Sequence, residues 1–167
     1  MKKIAAAAVL GALVLASCAK KEEASAIDTS LPMKDVMGHV IDAGAQTFWK
    51  SSGSYVDETG EHSYVPTDED GWHAAESGVA TVVEGANLLL IGDRQRDDGD
   101  WVKMAVAMRT EAEKARQAVI AQDADKMFET GASLYQTCVA CHEKYVVPFL
   151  DEEGNMKLSP KGEPLKK

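Results

Sequence analysis

Basic side chains are in short supply in this 167-residue chain: 18 Lys and Arg face 27 Asp and Glu, for a formal charge of −9. Phosphate neutralisation needs the opposite balance, so no nucleic-acid partner is expected. Cysteine is scarce as well, and the three present are an odd number, which cannot close a disulfide framework. Aromatic residues make up only 6% of the chain. No internal repeat with a period of roughly 20–50 residues appears. No segment alternates apolar and polar residues for any length, so the signature of a sheet protein is missing. What remains, 45% apolar and 27% charged residues, is the balance of one soluble globular domain.

The longest apolar run near the start, Ile4 to Ala16, is 13 residues, too short to cross a bilayer of roughly 30 Å as a helix. Preceded by Met1-Lys2-Lys3, it reads as a secretory signal. It ends in Leu15-Ala16-Ser17-Cys18, which resembles the lipobox of bacterial lipoproteins. The resemblance implies that residues 1–17 are removed and that Cys18 becomes a lipidated N-terminus anchored in a membrane. Triacylation exceeds the pair of signals that stable anchoring takes. Ala19 is not the aspartate associated with inner-membrane retention, so the resemblance points to a periplasmic domain held at the outer membrane. The alternative is ordinary signal cleavage near Ala16 or Ala19, which leaves Cys18 incidental. Either route exports the chain.

Loss of residues 1–17, with Lys2 and Lys3, leaves 150 residues and a side-chain charge of −11. Residues 18–30 are charged and small and read as a tether. Residues 151–167, with Gly154, Pro160, Gly162 and Pro164 among charges, read as a polar C-terminal tail. The domain is residues 31–150, where four segments carry helical periodicity. In the first, Met33, Val36, Met37, Val40, Ile41, Gly44 and Phe48 share a stripe. A long loop from Gly53 to Pro66 follows. The second segment opens on capping residues at Thr67 to Asp70, carries Trp72, Val79, Val82 and Leu89 on one face, and ends at Gly92. Asp98-Gly99-Asp100 caps the third, with Trp101, Met104 and Met108 on its stripe. The fourth starts from Asp123 and runs to Pro148. Short connections after the second segment make neighbours antiparallel, so the expected fold is all-α, an antiparallel four-helix bundle.

The chemistry gathers in Cys138-Val139-Ala140-Cys141-His142, a CxxCH attachment motif for c-type haem. Two thiols at this spacing can each add to a vinyl group of one haem, and the histidine that follows is held under the iron as axial ligand. On a helix, Cys138 and His142 stand at i and i+4 on the stripe that also holds Met127, Gly131, Tyr135 and Tyr145. A covalently attached haem c would therefore face the bundle interior. A dithiol redox pair belongs at the start of a helix in a βαβ setting, whereas this motif comes late in a long helix. A structural disulfide or zinc site is a further alternative, and no second CxxC or HxxxH supplies ligands for zinc.

A CxxCH in the last helix of a four-helix bundle resembles the class II c-type cytochromes, the group of cytochrome c-prime and its methionine-ligated low-spin relatives. The resemblance covers roughly Leu31 to Pro148. It implies Cys138 and Cys141 as thioether attachments, His142 as axial ligand, and a distal ligand or steric blocker on the first helix. Met33, Met37 and His39 are the candidates there. A helical wheel puts Met37 near the centre of the apolar stripe and His39 on the polar face. Met37-Gly38 resembles the Met-Gly step of the methionine-ligated members, so Met37 is the expected distal ligand, with plain core packing as the alternative. After the motif, Glu143-Lys144-Tyr145 replaces the Asp-Asp-Phe-basic run frequent in cytochrome c-prime.

Other residues carry weaker signals. Trp49, Trp72 and Trp101 stand at helix ends, where tryptophan covers a haem edge or closes a bundle. Tyr135 and Tyr145 are candidate propionate partners or packing residues. His62 and His73 flank the long loop and read as solvent histidines. The acidic runs Asp57-Glu58, Asp68-Glu69-Asp70 and Asp97-Asp98-Asp100 are solvated surface or a dock for a basic redox partner. No acid, base or nucleophile constellation lies outside the motif, so an enzyme is not expected. The expected function is a membrane-tethered periplasmic electron carrier serving redox partner proteins. The alternative is a binder of nitric oxide or carbon monoxide with an open distal site. The resemblance also allows a homodimer through the first two helices, by analogy alone.

Overall fold

The computed structural model describes residues 27–153. Cys18, the signal segment, most of the tether and the tail from Gly154 onward lie outside the described residues. The described chain is mostly helical with one small sheet. Helix α1 (Met33–Val36) passes through a π-helical turn (Met37–Ile41) into α2 (Asp42–Trp49). A hairpin of β1 (Ser54–Asp57) and β2 (Gly60–Ser63) leads to α3 (Glu69–Leu88), α4 (Asp100–Ile120) and α5 (Ala124–Tyr145). None of these helices is long and apolar enough to cross a membrane.

Helix starts follow local chemistry. The Asp68 carboxylate accepts from the Gly71 N–H at 2.8 Å and that of Asp123 from the Lys126 N–H at 3.0 Å, each satisfying an orphan donor of the first turn. Helix α4 departs from the expected cap. Its N-cap is Gly99, and the carboxylate of Asp97 accepts from both Gly99 N–H, at 2.8 Å, and Trp101 N–H, at 3.1 Å. Helix α3 ends at Leu88 rather than Gly92, which opens a 3₁₀ turn, Gly92–Arg94, at φ +60°. Helix α5 stops at Tyr145, where Val146 leaves the helical backbone at φ −123°, and the chain tightens into a 3₁₀ turn, Val147–Phe149, with Pro148 in its opening.

The segment expected as an irregular loop holds the antiparallel hairpin, with Tyr55 opposite His62 and Val56 opposite Glu61. Nearly every hairpin position is exposed, so neither strand carries the alternation that marks a half-buried sheet. Local contacts hold it. The Asp57 carboxylate accepts from the Thr59 N–H at 2.7 Å, and the Tyr55 ring stacks on His62 with centroids 4.9 Å apart.

Phe48, Val79, Val82, Met127 and Leu134 are fully buried, together with Ala75, Ala112 and Ala115. The alanines let helices approach closely, and α2 and α3 go further. A Cβ on Gly44 would lie 2.7 Å from the Gly78 carbonyl oxygen, and one on Gly78 2.8 Å from that of Gly44. Backbone meets backbone there. Arg109 donates to the Asn87 side chain at 2.7 Å and Arg116 to Glu76 at 3.0 Å, so the later α4 residue meets the earlier α3 residue and the pair is antiparallel. Helix α5 packs along α4. It meets α2 only lightly, around Trp49 and Gly131, and the two part toward the other end.

Candidate functional site

The parting of α2 from α5 leaves a cavity of about 670 Å³ with mostly apolar walls. Met37, Ile41 and Trp49 form one side, and Trp101, Met104 and Met108 of α4 form the floor. Cys138, Cys141 and His142 stand on the α5 side. Four residues selected by sequence, from the two ends of the described chain, thus line one space.

Met37 opens a π-helical turn, which changes the regular helical wheel around it. Residues five apart on an α-helix diverge by about 140°. The π-helical turn bonds i to i+5 instead and brings Val36 and Ile41, exposed by only 1% and 5%, to the core together. Met37 lies on the cavity wall beside Ile41, half-buried, where it also packs against the core. Gly38 beside it borders the cavity, and a Cβ there would meet nothing within 4 Å. Met33 is half-buried on the core and is not part of the cavity wall; His39 is exposed, as its polar-face position implies.

Both thiols of the motif are free and half-buried. Cys138 Sγ donates to the Leu134 carbonyl at 3.5 Å. Burial pushes both thiols above their ordinary value, and for Cys141 the neighbouring Cys138 adds to the shift. The motif occupies the end of α5, far from the helix N-terminus whose dipole activates dithiol pairs of the thioredoxin kind. His142 is exposed at the rim, and its side chain has no hydrogen-bond partner among the described residues. No group of three His, Cys, Asp or Glu side chains that could hold a metal ion occurs among the described residues.

The aromatic candidates divide. Trp49 donates to the Gly131 carbonyl at 3.1 Å and meets Tyr135 edge to face at 5.9 Å. Trp101 is buried, donates to the Leu89 carbonyl at 2.8 Å, and receives the Tyr145 ring edge-on at 5.0 Å. Trp49, Trp101 and Tyr135 line the cavity, whereas Trp72 does not. The Tyr145 hydroxyl is committed elsewhere: it donates to Asp97, and burial together with that carboxylate pushes its pKa up to about 12.

His62 and His73 stand away from the cavity. His62 is held in the hairpin, its Nε2 3.0 Å from Asp57 and 2.8 Å from Thr59, a carboxylate partner that sequence spacing did not suggest. The acidic runs have local roles: Asp57 braces the hairpin, Asp68 caps α3, and Asp100 pairs with Lys103 at 3.3 Å and with Lys144. Met104 and Met108 looked like ordinary core positions, and only the parting of α2 from α5 makes them floor. Comparison with family models, with curated proteins and with solved structures finds no match.

Proposed function

We propose that this chain is a monohaem c-type cytochrome built as an antiparallel four-helix bundle, tethered through Cys18 in the periplasm, that carries electrons between redox partner proteins. The convergence of Met37, Cys138, Cys141 and His142 on one apolar cavity carries this reading. The cavity falls within the range of about 300–1,000 Å³ typical of cofactor sites. Its donors, two unpaired thiols, an imidazole and a thioether, are those that a covalently held haem takes. Cys138 and Cys141 would hold the haem through thioether bonds, and His142 and Met37 would supply the donors to its iron. Bound there, haem iron supplies a one-electron couple. A Met37 thioether donor would favour the reduced form of that couple. Ile41, Met104 and Met108 give the site an apolar lining.

A second reading rests on the contact of Met37 with the core. If Met37 only packs, the distal position is open and the protein is a binder of nitric oxide or carbon monoxide. Optical spectra of the reduced protein separate the two. The carrier gives a sharp low-spin spectrum that carbon monoxide leaves unchanged, and Met37→Ala converts it to a gas-responsive high-spin one. A wild-type spectrum that shifts with carbon monoxide overturns ligation by Met37. A purified protein without colour, or one that loses its colour in denaturant, overturns covalent haem attachment altogether.

A further inference from the structure

Helix α5 ends three residues after His142, so the candidate axial ligand stands on a terminal turn, where helices fray. Ligand histidines are normally oriented by a hydrogen bond from their second ring nitrogen, which keeps the imidazole from rotating. His142 has no such partner among the described residues, and its ring is exposed. Among the described residues, what bears on its direction is the backbone of the last turn.

That turn is tied down by Lys144 and Tyr145, two and three residues after His142. The Tyr145 hydroxyl donates to Asp97 Oδ2, and Lys144 pairs with Asp100 Oδ2. Lys144 Nζ also lies 5.6 Å from the centre of the Tyr145 ring, which itself rests edge-on against Trp101. The acceptor is braced in turn. Asp97 Oδ1 accepts the Gly99 and Trp101 N–H groups, which leaves Oδ2 for the tyrosine. Trp101 is anchored to the end of α3 through the Leu89 carbonyl. A continuous set of contacts therefore runs from α3 through the start of α4 to the turn that carries His142.

We infer that Tyr145 and Lys144, held by Asp97 and Asp100, are positioning residues for His142: they lock the final turn of α5 and so fix the imidazole at the cavity rim. The inference rests on the cofactor reading above. It gives a role to the Lys144-Tyr145 pair, where the chain departs from the pattern of the class it resembles. A phenylalanine at position 145 would keep the ring contact with Trp101 but lose the tie to Asp97.

The test uses the full-length holoprotein, unfolded in guanidinium and followed both by its haem absorption band and by far-ultraviolet circular dichroism. In the wild type the two transitions coincide. In the double variant Lys144→Met/Tyr145→Phe the absorption change comes first, with histidine ligation weakened at least about tenfold while the helices are intact, the scale of effect seen when a ligand loses its orienting partner. Lys126→Met, which breaks the Lys126–Glu129 pair at the other end of α5, leaves the transitions coincident. A purely structural clamp would move both transitions together. Coincident transitions in a coloured double variant, shifted or unshifted, overturn the positioning role alone. A wild type without covalent haem overturns the cofactor reading, and this inference with it.

Discussion

Replacing Gly44 with alanine tests the contact that sets one wall of the cavity. The new Cβ would lie 2.7 Å from the Gly78 carbonyl oxygen and 2.9 Å from Thr81 Cβ. The first neighbour is α3 backbone, so no change of rotamer relieves it and the helices must separate. Overpacking of this kind costs about 1–3 kcal/mol. The better helix propensity of alanine offsets about 0.5–1 kcal/mol of that. The difference is a net loss of about 0–2.5 kcal/mol, centred on about 1 kcal/mol, which is a fall in Tm of about 4 °C for a domain of this size. Thermal melts of the variant followed by circular dichroism should therefore shift to lower temperature. A rise in Tm, as the propensity gain alone would give, would refute backbone contact between α2 and α3. Ile41 and Ala45, on either side of Gly44, line the cavity, so a displaced α2 also shifts its wall.

The motif should act as a pair: Cys138→Ser or Cys141→Ser leaves a haem held by one thioether, while the double substitution yields colour that acidified organic solvent extracts, as checked by absorption of the extract. Retained colour in the double variant would refute thioether attachment. The clamp on α5 predicts two pH limbs in denaturant midpoints. Asp97 is held below its ordinary value of 3.8 by the Tyr145 hydroxyl, so its contribution is present above that value and is lost as pH falls through the lower folded one. Tyr145 is raised from 10.0 to about 12, so the neutral hydroxyl's contribution is intact below pH 10 and is lost between there and about pH 12. Tyr145→Phe should remove the alkaline limb and flatten the acid one; an unchanged profile would show that the contact is not formed in solution.

The long helices were legible because their faces are one-sided over many turns, and Asp68 and Asp123 marked two starts through ordinary capping chemistry. The hairpin was not, because Ser54, Tyr55, Val56 and Asp57 are all exposed and a strand without a buried face has no period-two signal. Asp97 was legible as acid but not as acceptor. It lies before its helix, and its second oxygen is taken by Tyr145, 48 positions away, a pairing that only tertiary structure creates. The motif residues were found by spacing alone, whereas the floor of Met104 and Met108 follows the same period as any core.

The π-helical turn bears directly on the choice between the two readings of Met37. A methionine that served only as filler would belong where the core is, and Val36 and Ile41 already occupy that place because the wider turn brings them together. Met37 shares the cavity wall with Ile41 but is the less buried of the two. Short π turns recur at functional sites, where a broken hydrogen-bond pattern persists because the displaced side chain has work to do. The contact that Met37 retains with the core then reads as support for a ligand's position, as the shell behind a ligating side chain normally is. On that ground the methionine-ligated electron carrier ranks ahead of the open gas-binding site.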